Sequence, residues 1–495
     1  MKNPYEHLCK LSKRAQMLEG ISGLLSWDQE TYMPEKASPI RAEQCELLAE
    51  LAHSIKTSPE YETTLNSLVN ISTGTFKKKN LTDLQKDALK LFRKDFVKHK
   101  KLPTSFVQEF TKVTSEAIFI WQKAKAKNDF RMFQPSLEHI VKLNRKKAEL
   151  FGYDEHPYDA LLDEYEPGAT TKEIETLFKE IKTASKSIIK KWQKKKISPL
   201  VIPATDSEQV ALCKWVLELI GFDFTKGRFD LSCHPFSTSY HPFDTRLTTR
   251  TESHGIVIQI LTTLHEAGHS LYDMGLPVEH YGTPLCQAIS LGIHESQSRF
   301  WETRIGRSKA FWKLIFPALK EKFPKALKSE THESIYEKLN QVEPSLIRVD
   351  ADEVTYPLHV ALRFEIEKEL IAGELKVKEL PERWNAGMKD LLAIVPKTDS
   401  TGCLQDIHWS MGAFGYFPTY TLGNVYAAVL FEAFLKKHPD WEKRIQKKDF
   451  GFIQEWLAKN VWQHGRRYEA KELLQKISGK KVSAKPFISY LTEKY

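Results

Sequence analysis

Two histidines four residues apart, with a glutamate beside the first, stand in His265-Glu266-Ala267-Gly268-His269. On an α-helix such histidines are offset by only about 40° and one turn, so both imidazoles can reach one tetrahedral ion. Glu266 projects about 100° from His265 and about 60° from His269, beside the ion and not onto it. There it can take a proton from a water that the ion activates. The chemistry is metal-assisted hydrolysis, and one zinc per chain suits the donors, with cobalt or another divalent ion able to substitute.

A hydrolytic zinc site needs a third protein ligand and one open position. A metzincin-type ligand is excluded, because Tyr272 and Gly275 stand where that pattern asks for Gly and His. The segment 287–304 reads as a following helix, with Ile289, Ile293, Phe300 and Trp301 at helical spacing, and offers Glu295 and Glu302. Two antiparallel helices joined by a short loop bring a residue about two to three turns into the second beside His269, which favours Glu295 over Glu302. Glu279 in the loop is less well fixed. His294 reads as a supporting or surface histidine, since a fourth protein ligand would close the site to water.

The helix that must hold the histidines has Val257, Ile260, Leu261, Leu264, Leu271 and Met274 on its apolar side and ends at Gly275 and Pro277. Helical signals dominate elsewhere. Asn3-Pro4 opens a helix with Leu8, Leu11, Ala15 and Leu18 on one face, and Thr82 with Gln85 forms a capping-box pattern. Similar periodicity begins near Pro103, Ser136, Thr171, Asp206, Ser308 and Asn424. The exception is 228–250, where Phe229, Leu231, Phe236 and Leu247 suggest a small antiparallel sheet just before the histidine helix.

Beyond the histidine helix, ordered motifs run through the chain: His234-Pro235-Phe236, Asp244-Thr245-Arg246-Leu247-Thr248, His294-Glu295-Ser296-Gln297, Ile347-Arg348-Val349-Asp350-Ala351-Asp352 and Gly402-Cys403-Leu404-Gln405-Asp406-Ile407-His408-Trp409. Together with Ser26-Trp27-Asp28-Gln29-Glu30 and Leu161-Leu162-Asp163-Glu164-Tyr165-Glu166-Pro167-Gly168, they resemble the M32 metallocarboxypeptidases over the whole length. The resemblance implies a mostly α, zincin-like helical metallopeptidase with a deep central cleft, one small sheet near the zinc helix, and a homodimeric state. It implies release of single C-terminal amino acids from peptides with broad specificity and poor removal of proline.

Exopeptidase action needs a cation for the terminal carboxylate. Arg348 is the best candidate, because a guanidinium binds carboxylate through two parallel hydrogen bonds and the resemblance puts its motif in the cleft. An ion pair of Arg348 with Asp350 or Asp352 is the structural alternative. His234 and Arg246 are second candidates for the substrate end or backbone. For the oxyanion, the aromatic stretch 414–420 offers Tyr416 and Tyr420, and the resemblance favours Tyr420 with His408 assisting. The alternative function is a zinc oligopeptidase that cuts internal bonds of short peptides.

With 495 residues, 41% of them hydrophobic, the chain can bury a large core. No linker divides it, so a single domain over 1–495 is expected, with a mainly helical part at 1–200 and the zinc site and cleft at 201–495. No run approaches about 20 uninterrupted apolar residues, which disfavours a membrane partner. Cys9, Cys45, Cys213, Cys233, Cys286 and Cys403 are sparse and fit reduced thiols of a cytoplasmic protein. The net charge of +9, with Lys190, Lys191, Lys194, Lys195 and Lys196 around Trp192, raises a nucleic-acid reading. It is set aside because 73 basic residues face 64 acidic ones and no nucleic-acid module accompanies them.

Overall fold

Helices form where capping chemistry supports the periodicity. Asn3 accepts from the Tyr5 N–H and starts Pro4–Thr31, while Thr82 and Gln85 close both halves of a capping box on Asp83–Lys101. Two expected starts lie earlier in the chain. The helix sought near Ser136 begins at Phe130, because Asp129 caps it and Pro135 is accommodated in its second turn. The helix sought near Asn424 begins at Pro418, whose fixed φ and missing N–H suit a first helical position.

The computed structural model describes residues 3–192, 200–232, 234–251 and 255–495. The fold is mostly helical, with one sheet of β1 (Gly227–Leu231), β2 (Ser237–His241) and β3 (Asp244–Thr249) in the order β1-β3-β2. The sheet is mixed, not purely antiparallel as expected. A tight connection pairs β2 antiparallel with β3, so β1 lies along the other edge of β3 and runs parallel to it, Phe229 opposite Leu247. A longer crossing from β1 to β2 makes that parallel edge available; its Cys233 lies outside the described residues. Cys9, Cys45, Cys213, Cys286 and Cys403 are free thiols.

The main core joins Ile140, Ile181, Leu264, Phe300, Leu362, Phe434 and Phe487, and a smaller one gathers Leu8, Tyr61, Leu65, Phe92, Phe96 and Leu285. Among the described residues, no helix is long and apolar enough to cross a membrane. Lys190 and Lys191 are exposed at the end of Thr171–Trp192, while Lys194, Lys195 and Lys196 lie outside the described residues. The Trp192 indole N–H donates to the Tyr495 carbonyl at 2.8 Å, so the ring serves packing.

Three helices bring the histidines and Glu295 together. The His helix, Ile256–Met274, follows β3 and packs on it. The Glu helix is shorter than expected: it starts at Leu291, capped by Ser290, and passes at Phe300 into a π-helical turn that runs to Gly306. Its first N–H groups are further held by the buried Glu166 carboxylate, which accepts from Gly292 N and from the Tyr426 hydroxyl. The third helix, Pro418–Lys437, lies against the Glu helix on its other side. Glycines set both separations. A Cβ on Gly268 would lie 2.5 Å from Gln297 O, and one on Gly423 would lie 2.6 Å from Glu295 Cβ.

Overpacking of this kind costs about 1–3 kcal/mol. Gly423→Ala should therefore lower stability by about that amount in urea titration and reduce metal content after dialysis, because it displaces Glu295 itself. Unchanged stability with full metal content would show that the two helices have slack.

Candidate active site

The three helices bring together the residues that the spacing singled out. His265, His269 and Glu295 each present a donor atom within 4.8 Å of the others. Glu295 Oε2 lies 3.6 Å from His265 Nε2 and 3.4 Å from His269 Nε2. Bonds of about 2.0–2.1 Å at tetrahedral angles separate ligand atoms by roughly 3.4 Å, so the donor set fits a tetrahedral divalent cation. Glu266 is buried on the same helix. Glu302, the competing ligand candidate, holds the other face of His265 instead, its Oε2 2.8 Å from Nδ1. That oxygen also accepts from Arg299 Nη1 at 2.7 Å.

His269 is held in the same manner through a longer chain. Its Nδ1 lies 2.6 Å from Nδ1 of His294, whose Nε2 lies 3.0 Å from Asp273 Oδ1. Each imidazole therefore turns Nε2 to the centre while Nδ1 is engaged behind it, the arrangement that fixes ring orientation in metal-ligating histidines. Asp273 escaped the sequence reading, although a carboxylate one helical turn after His269 was the signal that could have found it.

Charges at the centre are strongly coupled. Burial lowers His265, yet Glu295, Glu302 and Glu266 overcome it and raise its pKa to about 9. Burial drives His269 down to about 4, with Glu295 opposing and His294 and His265 adding to the fall. Burial raises Glu266 to about 7, opposed by His265 and reinforced by Glu295 and Glu302. Glu302 is held far below the usual carboxylate range, because Arg299 and His265 outweigh its burial.

The Arg348 motif meets the Gln405-Asp406-Ile407-His408 motif beside this centre. Arg348 is buried and its guanidinium pairs with Asp406. Its Nε and Nη2 donate to Asp406 Oδ1 at 3.0 and 2.9 Å, and Nη1 donates to the Tyr356 hydroxyl at 2.9 Å. Asp352 is occupied elsewhere, accepting from Val354 N, Thr355 N and the Thr355 hydroxyl ahead of the helix Tyr356–Ala372. Arg363 shares the same aspartate, its Nε 2.7 Å from Asp406 Oδ2. Two guanidinium groups thus face one carboxylate, and burial combined with both cations keeps His408 neutral, its pKa about 4 although Asp406 opposes. Arg363 was not singled out by the sequence, because its pairing with Asp406 is visible only in three dimensions.

The Arg348 guanidinium lies 4.9 Å from the Tyr420 ring centre, and the Tyr420 hydroxyl lies 3.0 Å from His408 Nε2. Tyr416 packs edge-on against Tyr420, His408 and Tyr165. Arg246 and His234 sit differently. Arg246 pairs with Asp244 at 3.0 Å and stacks on Trp27 and Tyr240, tying the first helix to the sheet. His234 is exposed before β2, its carbonyl accepting from the Ser232 hydroxyl. A cavity of about 620 Å³ opens at the start of the Glu helix, lined by Tyr165, Ser290, Leu291, Lys98 and His99.

The carboxypeptidase Taq (M32) metallopeptidase profile matches residues 7–495. Thermostable carboxypeptidase 1 of Pyrococcus furiosus is 39% identical over 98% of this chain and 96% of its own, and carboxypeptidase 1 of Bacillus subtilis is 36% identical over the same shares. The crystal structure of an M32 carboxypeptidase from Deinococcus radiodurans superposes with a TM-score of 0.95 at 35% identity, over 99% of this chain and 98% of that one.

With its pKa near 9, His265 carries a proton at pH 7 when no ion is bound, and ligation must remove it. Calorimetric titration with a divalent metal in buffers of different ionisation enthalpy should show release of at least about one proton per ion at pH 7, the one on His265 and part of the one on Glu266. Affinity should climb with pH and level off above about pH 9. An affinity flat between about pH 6 and pH 8 would take His265 out of the ligand set.

Proposed function

Because the chain belongs to the M32 family of metallocarboxypeptidases, which are peptide hydrolases, we propose that it is a zinc enzyme releasing single C-terminal residues from peptides with broad specificity. Zinc is proposed from the donor set of two imidazoles and one carboxylate, with cobalt or another divalent ion able to replace it. A homodimer and a cytoplasmic location, in keeping with the free thiols, belong to the same proposal. The observation that carries the exopeptidase reading is the shared aspartate: Arg348 and Arg363 both form ion pairs with Asp406. The surplus charge awaits an anion, and a substrate's terminal carboxylate supplies it.

His265, His269 and Glu295 are proposed to hold the ion, Glu302 to orient His265, and His294 with Asp273 to orient His269. When bound, the ion makes water a nucleophile near neutral pH and polarises the scissile carbonyl. Glu266 takes the proton from the attacking water and returns it to the departing amine, a task that suits a buried carboxylate beside the donor set. Arg348 binds the terminal carboxylate through the second N–H groups of Nη1 and Nη2. The Tyr420 hydroxyl donates to the developing oxyanion, held by neutral His408. His234, exposed before β2, and Arg246, paired with Asp244, stay the second candidates for holding the substrate end or backbone.

Glu266→Gln should keep its metal and lose at least about a hundredfold in kcat, because the proton acceptor is gone while the ligands remain. Metal content measured beside turnover checks both halves, and near-normal turnover would assign the base elsewhere. Arg348→Ala should cost free-acid peptides about 2–3 kcal/mol in kcat/KM. Peptides amidated at the C-terminus should be poor substrates of the wild type and lose little more in the variant, which separates carboxylate binding from damage at Asp406. Rapid cleavage of amidated peptides at internal bonds would favour the oligopeptidase reading.

A further inference from the structure

The π-helical turn Phe300–Gly306 ends in a mixed hydrogen-bond pattern. Arg307 N donates to Glu302 O at 2.9 Å, the long spacing of a π-turn, but Ser308 N turns to Ile305 O at 3.1 Å. The Thr303 carbonyl is met by the hydroxyl of Tyr490, 3.1 Å away on the helix Lys485–Lys494. The same hydroxyl lies 3.0 Å from Glu353 Oε1 and accepts from Lys494 Nζ at 2.8 Å. Its single proton is shared between the Thr303 carbonyl and the Glu353 carboxylate.

These two acceptors belong to the two halves of the site. Thr303 follows Glu302, which holds His265. Glu353 lies five residues after Arg348 and just after Asp352, whose carboxylate knots 352–355 into the start of the next helix. That helix begins with Tyr356, whose hydroxyl accepts from Arg348. Glu353 is itself fixed, being buried, ion-paired with Lys494 and hydrogen-bonded by the Tyr495 hydroxyl at 3.0 Å. One hydroxyl therefore joins the segment behind the metal ligands to the segment that carries the guanidinium.

We infer that Tyr490 is a positioning residue that fixes the spacing between the metal centre and Arg348, and so the one-residue register of cleavage. The inference rests on the carboxylate role of Arg348 proposed above. An exopeptidase must hold the terminal carboxylate and the last peptide bond at once, so an error in this spacing weakens the carboxylate contact while leaving the metal and Glu266 in place. The contact is made in the ground state and the transition state alike, and its loss appears in KM.

The test compares Tyr490→Phe with wild type on paired free-acid and C-terminally amidated peptides, with Ile140→Val in the main core as a control for general loss of stability. Removal of one bridging hydrogen bond should raise KM for free-acid peptides by about threefold to tenfold, with kcat within about twofold and amidated peptides unaffected. In Arg348→Ala the same substitution should have no further effect on free-acid peptides. A wild-type preference for free acids that survives unchanged in Tyr490→Phe overturns the positioning role alone and leaves the hydroxyl a strut. Equal wild-type cleavage of both peptide forms overturns the carboxylate reading and the register inference with it.

Discussion

The distance of closest approach between the Glu helix and its two neighbours governs the catalytic centre. Glu295 must put one oxygen within roughly 3.4 Å of two imidazole nitrogens on another helix, and the approach that brings it there leaves no room for a side chain at either contact point. Gly268 removes the obstruction on the His helix and Gly423 removes it on the other side. The remaining polar structure serves this contact: Ser290 and Glu166 secure the first turn of the Glu helix, and the π-turn after it aims Glu302 back at His265. An ordinary α-helical continuation would rotate Glu302 by a different angle and leave Nδ1 of His265 without its acceptor.

Charge is arranged in two compartments with opposite requirements. At the candidate metal centre three carboxylates, Glu266, Glu295 and Glu302, surround two imidazoles with Arg299 paired to Glu302, and a divalent cation would balance the remaining excess. Near Arg348 two arginines share one aspartate, and the excess is positive. The aromatic wall of Tyr356, Tyr416 and Tyr420 lies between them and carries hydroxyls that can donate or accept without adding charge. The proposed substrate, a peptide end with a polarisable carbonyl and a full negative charge one residue apart, would engage both compartments.

The candidate donor cluster was legible in the sequence because it rests on helical geometry: a four-residue spacing on one helix, then a second helix reached through a short loop. Family resemblance supplied the pairing of distant motifs. Periodicity could not supply the partner of Arg348, since Asp350 and Asp352 are near in sequence while Asp406 is near only after folding. Similarly, Glu302 looked like a competing ligand, and the π-turn that directs it behind His265 has no signature in apolar spacing. The mixed sheet eluded the pattern because alternation marks strands without fixing which edge each one takes. Asp273 lay in plain view one turn after His269, but its use depends on His294 arriving from the other helix.

The central claim is that two imidazoles and Glu295 hold the ion while Glu302 and His294 stand behind the ligands. Anomalous scattering at the zinc edge from crystals of the loaded protein tests it most directly. The account predicts one peak per chain, about 2.0–2.2 Å from His265 Nε2, His269 Nε2 and a Glu295 oxygen, with a water completing the set. A peak bonded to Glu302 or His294, or one that lacks Glu295, would contradict it.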